Sequence, residues 1–198
     1  LVLFRRDLRL ADNPAWSAAC AEHAHVLPVF IHADDEACPA GAAGRWWLHH
    51  SLRALDQDLR DAGAALHLRR GAPLAVLREL IRRSGAGAVY WNRLYEPALI
   101  ARDTAIKAAL REDGIDTRSF NGALWREPWA LKTGGGDPYR VFTPFWRSLQ
   151  TQLPDLRVQP APERIPAPRQ RPEGLKLDEL KLLPKQDWAA AFGADWTP

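Results

Sequence analysis

Methionine is absent from this chain of 198 residues, and cysteine occurs only twice, as Cys20 and Cys38. Two cysteines cannot form the framework of disulfides that holds small secreted proteins together. The absence of a CxxC pair or a Cys/His cluster removes the ligands of a structural zinc site. No apolar run reaches the roughly 18–20 residues that cross a bilayer, and the first residues lack the pattern of a signal peptide. These absences predict a cytoplasmic protein with no membrane partner.

The chain also lacks the motifs that announce common catalytic and phosphate sites. Neither GxGxxG nor GxxxxGK[ST] occurs, so no glycine cradle for a nucleotide phosphate is expected. Gly134–Gly136 does not join a strand to a helix and is more typical of a hinge. The six histidines are scattered, and His49 and His50 have no partner at metal-ligand spacing. No triad or metal centre is therefore predicted.

Composition limits the partners only weakly. The net charge is +3 and arginine is spread along the whole chain, whereas a nucleic-acid-binding domain usually collects its basic residues on one face. Tryptophan, with nine residues, is the type in clear excess. Core filling accounts for some of these indoles, and others are expected to face a ligand or a partner domain.

Five short β-rich runs alternate with helical patterns. The runs are LVLF (1–4), VLPVFI (26–31), ALHLR (65–69), AVYW (88–91) and DTRSF (116–120). Between them apolar residues recur at three- and four-residue steps, Asn13-Pro14 is typical of a helix start, and Gly63 of a left-handed helix end. This alternation predicts an α/β fold of the Rossmann-like or flavodoxin-like type. Its core is a doubly wound five-stranded parallel sheet of order 3-2-1-4-5, with helices on both faces.

The pattern changes after residue 121. A turn-rich segment is followed by Thr143-Pro144, which predicts one further short helix. Residues 154–184 carry seven of the sixteen prolines among arginine, lysine and glutamate, a composition typical of a semi-rigid linker. We predict an α/β domain over residues 1–153 and an interdomain linker over residues 154–198 that leads into another domain.

Charged segments follow strands that this order places side by side. FRRDLR (4–9) follows strand 1, WNRLYEP (91–97) follows strand 4, and HADDEA (32–37) follows strand 2. Ligands of open parallel sheets bind beyond the carboxyl ends of the strands, so the three segments predict a ligand rim. Asp7 among arginines is equally explained by local ion pairs that hold the turn, and spacing alone leaves both interpretations open.

Three motifs resemble the N-terminal domain of the photolyase/cryptochrome family. They are FRRDLRLADNPAW (4–16), AVYWNRLYEP (88–97) and GDPYRVFTPFWRSL (136–149), in the family's order and at its spacing. The resemblance covers essentially the whole chain and is strongest to the bacterial class I cyclobutane pyrimidine dimer (deoxyribodipyrimidine) photolyases.

The resemblance implies a two-domain DNA-repair flavoprotein. In the family, the α/β domain often holds a light-harvesting antenna chromophore. A larger helical domain binds FAD and damaged DNA and carries out the lyase reaction. This chain resembles the first domain and the linker, so no catalytic residue is expected in it and it should not repair DNA alone. A cryptochrome-type blue-light photoreceptor has the same fold and stays an alternative. A stand-alone nucleotide-binding module is a weaker one, because the glycine-rich turn is missing.

Position at the rim and the resemblance together nominate a set of antenna-cleft residues. They are Arg6, Asp7, Phe30, Glu36, Arg45, Asn92, Arg93 and Glu96. Folate-binding members tend to carry Asn-Glu where this chain has Ala98 and Leu99, and deazaflavin-binding members tend to carry an acid where it has Leu94. The arginine-rich turn could instead hold a flavin phosphate. Folate, deazaflavin, flavin and an empty site all stay open.

A second set of residues is expected to contact the helical domain. Trp125, Trp129, Phe145 and Trp146 lie in or beside the third motif. Without that domain they would form an exposed apolar patch through which the chain would self-associate.

Overall fold

The computed structural model describes residues 1–33, 40–153, 158–186 and 188–189. Its strands are β1 (Val2–Phe4), β2 (Pro28–His32), β3 (His67–Arg70), β4 (Ala88–Asn92) and β5 (Asp116–Phe120). All pair in parallel in one sheet of order β3-β2-β1-β4-β5. The predicted fold and strand order are confirmed.

Five α-helices accompany the strands in the described residues. They are α1 (Pro14–Glu22), α2 (Ala42–Asp61), α3 (Pro73–Ser84), α4 (Pro97–Glu112) and α5 (Phe142–Gln152), with a short 3₁₀ helix at Leu177–Leu180. Asn13 caps α1, since its side chain accepts a hydrogen bond from the Trp16 backbone N–H at 3.1 Å. Gly63, just past α2, has a φ of 83°, as its place after the helix requires. None of the described helices combines the length and apolar character needed to cross a membrane.

The helices cover the two faces of the sheet in pairs. Trp16 of α1 and Leu52, Leu55 and Leu59 of α2 pack with Phe4 in one apolar cluster. Residues of α3 and α4 pack with Leu3, Val89 and Trp91 on the opposite side. Alternate residues of β1 thus face opposite layers, which explains why that strand is apolar throughout.

Part of the proline-rich segment packs on the α1–α2 face. We call residues 158–182 the strap. Its Ile165, Leu180 and Leu182 are buried in the same cluster as Leu52 and Leu55. The strap therefore completes the core on this face. The predicted domain boundary at 153/154 adjoins residues 154–157, which lie outside the described ranges, and it stays a prediction.

Backbone hydrogen bonds hold the strap along its length. The Asp12 N–H donates to the Gln159 carbonyl at 2.7 Å, and the Val26 N–H donates to the Pro166 carbonyl at 2.7 Å. The Leu175 N–H donates to the Leu68 carbonyl at 2.9 Å, as part of an antiparallel bridge to the edge strand β3. The strap thus also covers a strand edge that would otherwise be open to pairing with another chain.

His67 at the start of β3 makes stability depend on pH. Burial, followed by the nearby Arg69 charge, lowers its pKa from 6.5 to about 4. Between pH 6.5 and pH 4, His67 is protonated in the unfolded chain but stays neutral in the folded chain. The free energy of unfolding therefore falls as the pH drops through this range, and it levels off below pH 4. We expect wild type to lose about 2 kcal/mol more than His67→Gln between pH 7 and pH 5, measured by urea unfolding. His25→Gln, at an exposed histidine, is the control. Equal pH slopes for wild type and His67→Gln would contradict the prediction.

Candidate functional site

A cleft of about 1100 Å³ opens at the carboxyl ends of β1 and β2, between α2 and α4. Residues after β1 and β2 form its floor, one face of α2 forms one wall, and α4 with Leu94 forms the other. Ala161 of the strap completes the lining. This volume slightly exceeds the usual range of about 300–1,000 Å³ for small-molecule sites, so a large cofactor would fit.

Cations dominate the charged lining of the cleft among the described residues. They are Arg5, Arg6, Arg9, Arg45 and Arg102, against the carboxylates of Asp58 and Asp103. Asp103 is already paired, since it lies 2.5 Å from an Arg5 nitrogen and 3.3 Å from an Arg102 nitrogen. Of the other arginines, Arg6 pairs with Glu96 and Arg9 with Asp12, and the remaining donors of their guanidinium forks suit phosphate or carboxylate groups. The excess of cations in the described lining favours an anionic ligand.

An aromatic side chain lies on the wall of the same cleft. Trp47 of α2 is 40% exposed and lines the cleft, together with Leu48. Phe30, in the middle of β2, also lines the cleft and is buried. An exposed indole beside cations offers a flat surface on which a planar ring can stack.

Three of the eight nominated residues, Arg6, Phe30 and Arg45, line the cleft. Arg45 also donates to the Ala40 carbonyl at 2.9 Å, which fixes the guanidinium near the start of α2. Glu36 lies outside the described residues. Contact of any of these side chains with a chromophore stays a prediction.

Asp7 and Asn92 belong to a buried polar network and do not line the cleft. The Asn92 amide donates to Asp7 at 2.6 Å and to the Asn13 side-chain oxygen at 2.7 Å. Its own oxygen accepts from the Ala15 N–H at 3.2 Å, and Asp7 accepts from the Arg5 N–H at 2.8 Å. The network joins the turn after β1, the cap of α1 and the end of β4. Asp7 thus helps to hold the turn, through hydrogen bonds to the Asn92 amide and the Arg5 backbone N–H and not through the local ion pairs that the sequence suggested.

Arg93 and Glu96 hold neighbouring segments together and likewise do not line the cleft. Arg93 pairs with Glu127 at 2.6 Å and reaches Ser119 Oγ of β5 at 3.1 Å. Glu96 pairs with Arg6, and both side chains are about half exposed. The pair therefore orients Arg6 at the edge of the cleft.

Several lining residues were not nominated from the sequence. They include Arg9, Trp47, Ser51, Asp58 and Arg102. The α2 residues had a detectable signal, because Trp47, Ser51, Ala54 and Asp58 recur at three- and four-residue steps beside the apolar stripe. Arg102 falls on the apolar stripe of α4, three residues after Leu99 and four before Ile106, but nothing in the sequence indicates that a charged side chain there reaches a cleft.

Four large apolar side chains that do not line the cleft are exposed to solvent. We call Trp125, Trp129, Val141 and Phe142 the aromatic surface; they are 56%, 52%, 63% and 71% exposed. Phe145 and Trp146, also expected there, are half-buried. A groove of about 530 Å³, lined in part by Trp125 and Phe145, adjoins this surface. Within the described ranges no group of three or more metal-ligating side chains comes together.

A family model and individual relatives both indicate the same protein family for this chain. The DNA photolyase family model matches residues 1–168. A deoxyribodipyrimidine photo-lyase of Agrobacterium fabrum is 48% identical over the whole chain, and cryptochrome-2 of Arabidopsis thaliana is 38% identical over 83% of it. The chain spans only 41% and 27% of the length of these relatives.

Solved structures agree with this similarity. A bacterial class III photolyase from Agrobacterium tumefaciens superposes over the whole chain with a TM-score of 0.94 and 47% identity, and the chain covers 41% of it. An archaeal photolyase from Sulfolobus tokodaii, solved with two FAD molecules, has a TM-score of 0.73 at 24% identity over 91% of this chain and 40% of its own, which supports the fold alone. The bacterial relative is described as class III, whereas the sequence motifs were most similar to class I.

Proposed function

The chain belongs to the DNA photolyase family, and on that premise we propose that it is the N-terminal light-harvesting part of a deoxyribodipyrimidine photolyase. In the complete protein, reduced FAD in a helical domain would split cyclobutane pyrimidine dimers by light-driven electron transfer. The relatives named photo-lyase are longer than this chain, which covers 41% of the Agrobacterium protein. Catalysis and damaged-DNA binding are accordingly assigned to the remaining part. A cytoplasmic location is part of the same proposal.

The arginine-lined cleft is the observation that supports an antenna chromophore in this domain. Arg6, Arg9 and Arg45 would bind its anionic groups, while Trp47 and Phe30 would contact its ring. When bound, such a group absorbs light and passes the energy to a flavin. The residues fit a planar anionic molecule, a description that covers a folate, a flavin and a deazaflavin alike.

Binding of chromophore probes to the chain tests the cleft. We expect FMN or a reduced folate to bind, measured by fluorescence titration. Trp47→Ala and Arg45→Ala should each weaken binding about tenfold, because each removes a contact worth on the order of 1–2 kcal/mol. Trp129→Ala is the matched control, since this indole is exposed outside the cleft. If Trp129→Ala weakens binding as much as Trp47→Ala, or if no probe binds, the cleft is not the chromophore site.

A cryptochrome-type photoreceptor is the second candidate, favoured by the 38% identity to cryptochrome-2. The photolyase proposal is preferred because the Agrobacterium relative is more similar and matches the whole chain. The deciding experiment is blue-light repair of a dimer-containing oligonucleotide by the complete protein. Repair supports a photolyase; absence of repair with an intact flavin photocycle supports a cryptochrome.

We further propose that the aromatic surface packs against the helical FAD domain of the complete protein. Support comes from the exposure of Trp125, Trp129, Val141 and Phe142, since exposed large apolar side chains are typical of interaction sites. The adjoining groove would receive apolar side chains of that domain.

The chain without this partner should self-associate. Sedimentation velocity should show a mass that rises with concentration, because clustering the aromatic surface removes apolar area from water. Trp125→Ser/Trp129→Ser should shift the equilibrium towards monomer. Trp47→Ser, at an exposed indole inside the cleft, should not. A chain that stays monomeric at high concentration would contradict the prediction.

A further inference from the structure

We propose that Arg93 and Arg111 close the free edge of β5 against pairing with a second copy of this chain. Among the described residues, β5 is the last strand on its side of the sheet, as β3 is on the other side. The strap covers the β3 edge through the bond from the Leu175 N–H to the Leu68 carbonyl. The proposal goes beyond the antenna function, because it concerns association of the chain and its tests need no chromophore.

The outward-facing backbone groups of β5 follow from its pairing with β4. In a parallel strand, alternate residues direct both their N–H and their carbonyl towards the same neighbouring strand. The Phe120 carbonyl accepts from the Arg93 N–H, just past β4, at 2.8 Å, and the Asp116 N–H is bonded on the same side. These two residues therefore face β4. Thr117 and Ser119 direct their backbone groups to the free edge.

Guanidinium groups occupy both of these outward carbonyls. Arg111, in the last turn of α4, donates to the Thr117 carbonyl at 3.3 Å and to the Thr117 Oγ1 at 3.1 Å. Arg93 donates to the Ser119 carbonyl and, at 3.1 Å, to the Ser119 Oγ. Each arginine thus takes a carbonyl that a further strand would need for pairing, and it binds the side chain of the same residue as well.

Burial and charge add to the closure of this edge. Thr117 is 0% exposed although it lies on an edge strand. Lys107 of α4 donates to the Ser119 Oγ at 3.1 Å, and burial, followed by the charges of Arg111 and Arg93, lowers the pKa of this lysine. Three cations therefore share the edge. Pairing of two copies through β5 would bring two such sets together, and like charges placed opposite each other on paired strands are destabilising.

Sedimentation velocity of a variant with an uncovered edge tests the proposal. The starting chain carries Trp125→Ser/Trp129→Ser, so that association through the aromatic surface does not contribute. Adding Arg93→Ala/Arg111→Ala should raise the dimer fraction about fivefold or more at equal concentration, because the outward carbonyls become available and like charges are removed.

Two further variants identify the surface that pairs. Arg60→Ala/Arg83→Ala removes the same charge from α2 and α3, where each arginine pairs with a carboxylate one helical turn away. This control should sediment as the starting chain does. Ser119→Pro, added to the uncovered edge, should restore the monomer, because proline removes an N–H that faces the free edge and not β4. A dimer that persists with Ser119→Pro, or that the control also forms, would overturn the proposal.

Amide hydrogen exchange locates the paired strand directly. In the chain with Arg93→Ala/Arg111→Ala, exchange at the Thr117 and Ser119 amides should slow about fivefold or more as the protein is concentrated, while exchange at β4 amides stays constant. If that variant does not fold, Arg111→Ala alone, at an exposed residue, should slow exchange at Thr117. A folded variant whose mass and β5 exchange are both independent of concentration would contradict the proposal.

Discussion

Replacing Asn92 with alanine is expected to lower the free energy of unfolding by about 2–4 kcal/mol. Asn92 is only 3% exposed and makes hydrogen bonds to Asp7, Asn13 and Ala15. Alanine leaves these partners without their bonds where water has little access. A buried polar group without its partner costs about 1–3 kcal/mol, more when it is charged.

Urea unfolding followed by circular dichroism measures this effect. Asn121→Ala is the control, because Asn121 holds a surface turn through the Leu124 N–H and carbonyl. It should cost about 1 kcal/mol or less. A double-mutant cycle of Asn92→Ala with Asp7→Ala should give a coupling of at least about 0.5 kcal/mol. If Asn92→Ala costs no more than Asn121→Ala, the network does not hold the rim together.

The close approach of Gly122 to Asn92 restricts the movement of the Asn92 side chain within its hydrogen-bond network. A Cβ at Gly122 would lie 2.6 Å from the Asn92 Cγ and 2.9 Å from its Nδ2. Arg9 also donates to the Gly122 carbonyl at 2.8 Å. The loop after β5 is thus pressed onto the end of β4, and the Asn92 side chain is held between the two.

Two adjacent leucines, the last residue of the strap and the residue that follows it, should respond very differently to truncation. Leu182 is 2% exposed and packs in the α1–α2 cluster, whereas Leu183 is 45% exposed. We expect Leu182→Ala to cost about 2–5 kcal/mol, because it removes buried methyl groups and leaves a cavity. Leu183→Ala should change stability by no more than about 0.5 kcal/mol.

Thermal and urea unfolding of the two variants measure the difference. Both substitutions make the same chemical change in the same segment, so any effect on the unfolded chain is shared. Similar, small costs for both would mean that the strap contributes nothing to the stable core. A large cost for Leu182→Ala alone would extend the folding unit past the predicted boundary at residue 153.

The course of the strap could not be predicted from composition. Five prolines among charged residues indicate a segment without regular structure, and apart from its short 3₁₀ helix the strap has little. Ile165, Leu180 and Leu182 recur with neither a helical nor a strand period. Their burial depends on where the surface of α2 lies, which is a property of the folded domain.

The residues of the cleft were also only partly predictable from the sequence. Arg6, Phe30 and Arg45 line it as nominated, because strand order and the rule for parallel sheets place them there. Asn92 and Arg93 were placed at the correct edge, but their side chains bond to neighbouring loops. Residue type and strand position do not determine which way a side chain turns at a strand end, where partners distant in sequence compete for it.

The sequence by itself determined the α/β fold, the strand order and the family. Apolar periodicity, helix caps and the three ordered motifs can be recognised within short stretches of sequence, and all of them indicate the same arrangement of strands and helices. Only the tertiary structure decided that Asp7 and Asn92 support the rim, that Trp47 and Arg102 line the cleft and that a proline-rich segment completes the core. Those outcomes arise from contacts between residues far apart in the sequence, such as the pairs Arg5–Asp103 and Asp12–Gln159. The free energy of such contacts depends on distances and burial that exist only once the chain has folded.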